Sequence, residues 1–204
     1  MIIIGVTGSI GMGKTTIARM LGQFGMPVFD SDSEVKDILE NNEEVKSQIC
    51  EIWPNVLIKK NNRKEIDKSF LSKKIFSNKK ERKKLEKIIH PLVKKRRDVF
   101  IKSNDKSSIL VLDIPLLYEI GSDKICDEVF LTYTNHNKQK ERVLARSNMS
   151  EEKFNLIKKA QWSTEKKRKK KPYLITTTYG KFVSFLLIII YLITIIIKKK
   201  VLKL

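Results

Sequence analysis

Gly8-Ser9-Ile10-Gly11-Met12-Gly13-Lys14-Thr15 stands near the start of the 204-residue chain and fits G-x-x-x-x-G-K-[ST], the pattern of a phosphate-binding loop. Its flanks suit the motif. Ile2-Ile3-Ile4-Gly5-Val6-Thr7 is a β-branched apolar run, read as a buried strand. After the glycines, Ile17, Met20, Leu21 and Phe24 recur at helical spacing between Thr15 and Phe24. The glycines let backbone N–H groups turn inward around phosphates, and the following helix N-terminus adds partial positive charge there. Lys14 can reach the β- and γ-phosphates, and the Thr15 hydroxyl can ligate Mg2+. Gly11, Met12, Gly13, Lys14, Thr15 and Thr16 are therefore the candidate nucleotide-binding residues. An ordinary glycine-rich turn is the plain alternative, and the strand and helix flanks argue against it. A dinucleotide fingerprint is absent, because Thr16 stands where its last glycine would be.

Forty-two Lys and Arg against 23 Asp and Glu give a formal net charge of +19. The excess suggests polyanionic partners such as nucleotide phosphates, nucleic acid or an anionic membrane face. Lysine is also spread over the whole chain, so much of it reads as solvated surface. The run Lys166 to Lys171 has only Trp162 and Tyr173 near it, which is poor interleaving for a nucleic-acid module. No nucleic-acid partner is expected. Cys50 and Cys126 lack metal spacing and read as reduced thiols of a cytoplasmic protein. The N-terminal apolar run has no basic segment before it and is not read as a signal peptide.

Val28-Phe29 is read as a second strand that delivers Asp30 and Asp32 to its carboxyl end, where open parallel sheets bind ligands. The two carboxylates are read as parting, so that one can face the site while the other caps the next helix. Glu34 to Trp53 reads as helical with a break near Asn41-Asn42, and Lys59 to Lys64 as a loop. Phe70 to Phe76 and Lys79 to Lys102 read as helices, the second kinked or restarted by His90-Pro91. Ile109-Leu110-Val111-Leu112-Asp113 is an unbroken apolar strand ending in a carboxylate, the form of a Mg2+ or water ligand. Val129 to Thr132 is another strand. Asn135 to Arg146 is then a helix with Arg142 and Arg146 one turn apart on one face. Met149 to Trp162 continues helical, and Tyr173 to Thr176 is a last short strand. Strands alternating with helices make an α/β fold with a mainly parallel sheet.

Taken in order, the phosphate loop, Val28-Phe29-Asp30-Ser31-Asp32, Leu85-Glu86-Lys87-Ile88-Ile89-His90-Pro91-Leu92-Val93, Asp113-Ile114-Pro115-Leu116-Leu117-Tyr118-Glu119, Arg142 with Arg146, and Gln161 resemble the dephospho-CoA kinase family. The phosphate loop is shared by many families, whereas the LE-x-I-x-HP-x-V and D-x-PLL-x-E stretches are more specific. The resemblance implies a three-layer α/β phosphate-loop kinase over residues 1–181. It would have a helical acceptor-binding region at about 60–105 and a lid at about 138–170. It implies transfer of the ATP γ-phosphate to the ribose 3′-hydroxyl of dephospho-CoA, the last step of coenzyme A synthesis, with ATP, Mg2+ and dephospho-CoA as small-molecule partners.

By the same resemblance, Asp32 is the general base near the acceptor hydroxyl, and Thr15 and Asp113 face the metal. His90, Pro115, Leu116, Leu117 and Glu119 line the acceptor side. Lys14 and Arg142 act on the transferring phosphoryl group, and Arg146 joins them on the nucleotide. The chemistry agrees: phosphoryl transfer needs alignment and neutralised oxygens, which lysine, Mg2+ and the planar fork of arginine supply. Where the family pattern has Ala-Asp before the last strand and Asn after it, this chain has Lys171-Pro172 and Thr177, so no site residue is assigned there.

Three other readings compete. A nucleoside or nucleotide kinase of related architecture would lack the His90-Pro91 and Pro115-Leu116-Leu117 stretches. A guanine-nucleotide switch would carry N-K-x-D, which is absent. A basic binding protein with an inert phosphate loop would bind RNA with steep salt dependence. The segment 182–204 stands apart. Phe182 to Ile197 is apolar between Lys181 and Lys198-Lys199-Lys200, and shorter than the ~20 residues of a usual membrane span. A buried helix or an oligomer contact is the favoured reading, and a membrane-associated segment the alternative; the oligomeric state is not legible.

Overall fold

The structure, a computed structural model, describes residues 1–60, 63–147 and 149–201. The chain divides into two compact units, one of Met1–Asp30 with Asn104–Leu204 and one of Ser31–Ser103.

The first unit is built on a five-stranded sheet. Its strands are β1 (Ile2–Thr7), β2 (Val28–Asp30), β5 (Ile109–Asp113), β6 (Glu128–Tyr133) and β7 (Tyr173–Thr176), in the order β2-β5-β1-β6-β7. Every pairing is parallel. All five residues of β5 are buried, as a central parallel strand covered on both faces requires. Ile2, Ile4, Val6, Ile109, Val111, Phe130 and Ile175 project to one face, where α1 (Lys14–Gln23) contributes Ile17 and Leu21. By strand alternation Leu110, Leu112 and Leu131 go to the other face, and they too are buried. The remaining helices are α6 (His136–Leu144), α7 (Glu151–Ala160), the short α8 (Thr164–Arg168) and α9 (Lys181–Val201). Asn135, Ser150 and Ser163 cap α6, α7 and α8, each accepting a backbone N–H three residues on.

The apolar tail forms α9. Ser184, Ile188, Leu192 and Ile195 are buried, and the three apolar ones join the core that holds Ile4 and Phe130. The segment is thus a helix packed on its own sheet along one side. Residues 202–204 of the tail lie outside the described residues.

The second unit contains α2 (Ser31–Asn41), α3 (Glu43–Ile52), a hairpin of β3 (Leu57–Lys60) and β4 (Arg63–Ile66), α4 (Lys68–Ser77) and α5 (Lys79–Ser103). Ile38, Val45, Ile49, Trp53, Val56, Ile66, Leu71 and Ile89 form its core. The break expected near Asn41-Asn42 is present, with the Asn42 side chain accepting from Val45 N at the start of α3. Arg96 of α5 reaches Glu34 at 2.9 Å and Asp37 at 2.6 Å on α2, and its guanidinium holds the Asp37 carboxyl below the usual carboxylate range.

Three expectations are corrected. Lys59 to Lys64 is not a loop: Leu57–Lys60 pairs antiparallel with Arg63–Ile66, while Asn61 and Asn62 lie outside the described residues. The strands are polar, but buried Val56 and Ile66 anchor the hairpin in the core of this unit. Pro91 does not interrupt its helix, since α5 runs continuously from Lys79 to Ser103. One missing donor is tolerated there because Ile89 and its neighbours remain packed in that core. Finally α6 stops at Leu144, capped by Ala145, so Arg146 lies beyond the helix that carries Arg142.

The packing of α9 has a direct test. Ile188→Ala should cost ~2–5 kcal/mol of unfolding free energy, whereas Ile190→Ala on the outer side should stay within ~0.5 kcal/mol. Urea melts of the two variants beside the parent protein read the difference.

Candidate active site

The phosphate loop leaves β1 at Thr7 and enters α1 at Lys14. Gly11 and Gly13 have φ of 76° and 84°, the left-handed region that glycine occupies without strain. Space is equally tight. A Cβ on Gly13 would lie 2.9 Å from the Thr177 methyl, and one on Gly11 would lie 2.6 Å from a Val143 methyl. The loop is therefore pressed between α1, α6 and the end of β7.

Lys14 Nζ donates to Asp113 Oδ1 at 2.5 Å, with Lys14 9% and Asp113 1% exposed. β1 and β5 run side by side with Val6 opposite Asp113, so the carboxylate ends beside the start of the loop. Asp30 closes β2 directly opposite Asp113 on the next strand. Two carboxylates thus sit at neighbouring strand ends, at the edge where parallel sheets bind ligands. Thr15 is exposed and Thr16 half-buried in the first turn of α1, while Met12 is buried.

Side chains from three later elements tie the loop down. Gln139 of α6, 2% exposed, donates from Nε2 to Ile10 O at 2.8 Å. Gln161, just past α7, accepts from Ile10 N at 2.9 Å. Thr177, just past β7, donates its hydroxyl to Met12 O at 3.1 Å. Arg142 closes the same corner with two parallel bonds of 2.8 Å, to the Thr177 hydroxyl and the Thr177 carbonyl. Its guanidinium here fastens α6 to the residue after β7. Arg146 is exposed.

A second knot gathers on Glu119. Trp162 N donates to Glu119 Oε1 at 2.7 Å, and Lys167 Nζ lies 3.1 Å from the same carboxylate. Lys167 also donates to Pro115 O at 3.1 Å, and Ser9 Oγ reaches Trp162 O at 3.4 Å. The Thr7 hydroxyl donates to Pro115 O as well. Lys167 is 0% exposed. Burial pulls its pKa below the usual lysine value, opposed by Glu119 and assisted by the positive charge of Lys14. Tyr118, buried in the same turn, has its phenol pushed up by desolvation. Pro115 and Leu116 are half-buried and Leu117 is fully buried.

Lys14, Asp113, Arg142, Pro115 and Glu119 thus belong to one connected network in the first unit. Asp32 and His90 belong to the second unit. Asp32 is exposed in the first turn of α2 and His90 is exposed on α5. Two residues apart, Asp30 and Asp32 would share one face of a continued strand; they part because the chain turns helical at Ser31.

Gln139, Trp162, Lys167 and Thr177 are among the residues of the network that carry no sequence assignment. Lys167 is hidden inside a basic run that reads as solvated surface. Gln139 has a readable signal, since it lies four residues before the buried Val143 on α6. Thr177 stands at a position where the family pattern has another residue.

Comparison with known proteins is consistent with this geometry. A family model described as dephospho-CoA kinase matches residues 2–179. A dephospho-CoA kinase of Rhodopseudomonas palustris (strain HaA2) is 35% identical over 182 residues, 88% of each chain. One of Nitrobacter winogradskyi is 36% identical with the same coverage. Among solved structures, a dephospho-CoA kinase from Campylobacter jejuni superposes with a TM-score of 0.67 at 26% identity, covering 95% of this chain and 96% of that one. TT1252 from Thermus thermophilus superposes with a TM-score of 0.78 at 28% identity, with the same coverage.

The Thr177 corner can be tested apart from turnover. Thr177→Val keeps the shape and deletes the hydroxyl, leaving Met12 O and one Arg142 N–H without their partner. A loss of ~1–3 kcal/mol in unfolding free energy is expected. Thr177→Ser restores the hydroxyl and should recover most of it, as denaturant titration will report.

Proposed function

We infer the chemistry of this protein from one premise: the chain belongs to the dephospho-CoA kinase family. Its function is that of an ATP-dependent phosphotransferase of coenzyme A biosynthesis, which moves the γ-phosphate of ATP to the ribose 3′-hydroxyl of dephospho-CoA. The observation that carries the reading is the Lys14 ammonium held on Asp113 inside a glycine cradle at the carboxyl end of a parallel sheet.

The cradle's backbone donors and the start of α1 bind the triphosphate. Gly11, Met12, Gly13, Thr15 and Thr16 form that surface. Lys14 exchanges Asp113 for the β- and γ-phosphate oxygens when ATP enters, and so neutralises charge that grows at the bridging oxygen. The new bond forms between the acceptor 3′-oxygen and phosphorus as the bond to the β-bridging oxygen breaks. Asp32 accepts the hydroxyl proton. Arg142 and Arg146 contribute positive charge from the lid side. His90 and the Pro115 to Glu119 turn bound the acceptor.

Mg2+ fits the donors present. The Thr15 hydroxyl and Asp113 carboxylate are hard oxygen donors, and Mg2+ is usually held by one or two carboxylates together with substrate phosphates. Among the described residues no cluster of three or more His, Cys, Asp or Glu offers an all-protein cage. When bound, Mg2+ would supply charge neutralisation at the phosphates. We place the protein in the cytoplasm, where Cys50 and Cys126 stay reduced; the two form no disulfide.

Release of ADP from ATP and Mg2+ should depend on dephospho-CoA and be absent with AMP, with adenosine or without acceptor. Equal release without acceptor would replace the kinase by an ATPase. In the same assay Lys14→Ala should lower turnover at least ~10²-fold. Asp32→Asn should lower kcat by ~10²–10⁴ with little change in ATP affinity; near-normal turnover would remove Asp32 as the base.

A further inference from the structure

α9 carries two apolar stripes on opposite sides. Ser184, Ile188, Leu192 and Ile195 face the core of the first unit. Phe182, Leu186, Ile190, Ile193, Ile197 and Val201 recur at spacings of three and four residues and fall about half a turn away, at ~3.6 residues per turn. This outer stripe is open: Phe182 is 72%, Ile190 55% and Ile197 56% exposed. A surface helix of a soluble domain needs one apolar stripe and presents polar residues opposite. The second stripe has no use within the fold. It continues sideways into Phe185, which stacks on the exposed Phe24 of the neighbouring α1 end at 5.5 Å.

Charge tells what covers it. α9 contains no acidic residue, and its lysines stand only at its two ends, Lys181 at one and Lys198, Lys199 and Lys200 at the other. A second copy packed stripe to stripe would bring cation against cation in either direction. Antiparallel packing sets the exposed Lys200 against Lys181 of the other copy, and parallel packing sets Lys200 against Lys200. An anionic bilayer has the opposite sign. It accepts an apolar stripe at the level of the headgroups while the exposed Lys181 and Lys200, one at each helix end, reach the phosphates. The chain's +19 charge adds long-range attraction to the same surface.

The helix is long and apolar enough to cross a membrane by length and composition, yet its ties hold it flat. Ser184 Oγ donates to Thr176 O at 2.8 Å and the Tyr191 hydroxyl to Leu174 O at 3.0 Å. Lys198 pairs with Glu128 at 2.7 Å, and Lys199 donates to Met1 O at 2.7 Å. Pulling α9 into a span would strip the sheet of this cover. We propose that the outer stripe of α9 is a peripheral docking surface for an anionic lipid bilayer.

The test is flotation of the full chain with vesicles of phosphatidylcholine, alone or with about a third of phosphatidylglycerol. Binding to the anionic vesicles should exceed that to the neutral ones about tenfold or more and weaken at high salt. The double substitution Ile190→Ser with Ile193→Ser should abolish it. Its acceptor-dependent turnover without vesicles should stay near the parent value, which certifies its fold. Lys181→Glu with Lys200→Glu should also abolish flotation while leaving both stripes intact. Three results would overturn the proposal: no flotation, equal binding to neutral vesicles, or binding that survives either double substitution. A concentration-dependent dimer in sedimentation that Ile190→Ser with Ile193→Ser dissolves would overturn it too, and would make a second copy the cover.

Discussion

A lysine ammonium buried to nine-tenths of its surface has to be met by an opposite charge, and the first unit is arranged around meeting it. Lys14 sits where the phosphate loop becomes α1, and Asp113 sits where β5 ends. An unpaired charge at either place would cost several kcal/mol, so the two ends must arrive together. That fixes β5 beside β1 and sets Val6 against Asp113 in the register. The same arrangement makes the site useful. In the proposed reaction the Lys14–Asp113 pair holds the ammonium at the loop until a phosphate, which carries more negative charge than the carboxylate, takes it over.

The loop itself is held by atoms it does not own. Ile10 is clasped on both its N–H and its carbonyl by Gln161 and Gln139, and Met12 by Thr177. Each of these contacts removes freedom from the loop before any nucleotide arrives. Fixed donors act better on developing charge than mobile ones, because nothing has to reorganise during the reaction. Arg142 belongs to this holding set as well. Its two bonds to Thr177 connect α6 with the end of β7, beside the direct bond from Gln139 of α6 to the loop.

Elements with local signals were legible in the sequence, and contacts between distant segments were not. β1, β5 and β6 are apolar runs, and α1 has helical spacing next to glycines; these follow from burial alone. The hairpin of Leu57–Lys60 and Arg63–Ile66 is mostly polar, and only the core it leans on makes it a strand pair. Pro91 signals a break, but packing of α5 outweighs one lost backbone bond. Within the site, Lys14 and Asp113 were readable because motif and strand end each carry a local rule. Lys167 was not. It is one lysine in a run of six basic residues, and what singles it out is Glu119, far away in the sequence.

Thr177 shows how such a contact can tolerate a change of residue type. The position needs a short side chain that donates to Met12 O, accepts from Arg142 and leaves room for Gly13. A threonine hydroxyl meets both bonding demands with one atom, since it can donate and accept at once. An amide would meet them with two atoms and would need more space beside the loop. The departure from the family pattern is therefore compatible with a closed loop corner, and it relocates the question of nucleotide fit from this corner to the base. Lys171, two residues before β7, adopts φ of 54°, a conformation unusual for a lysine. Two residues on, Tyr173 enters β7 against Phe130 and Tyr191 beneath α9.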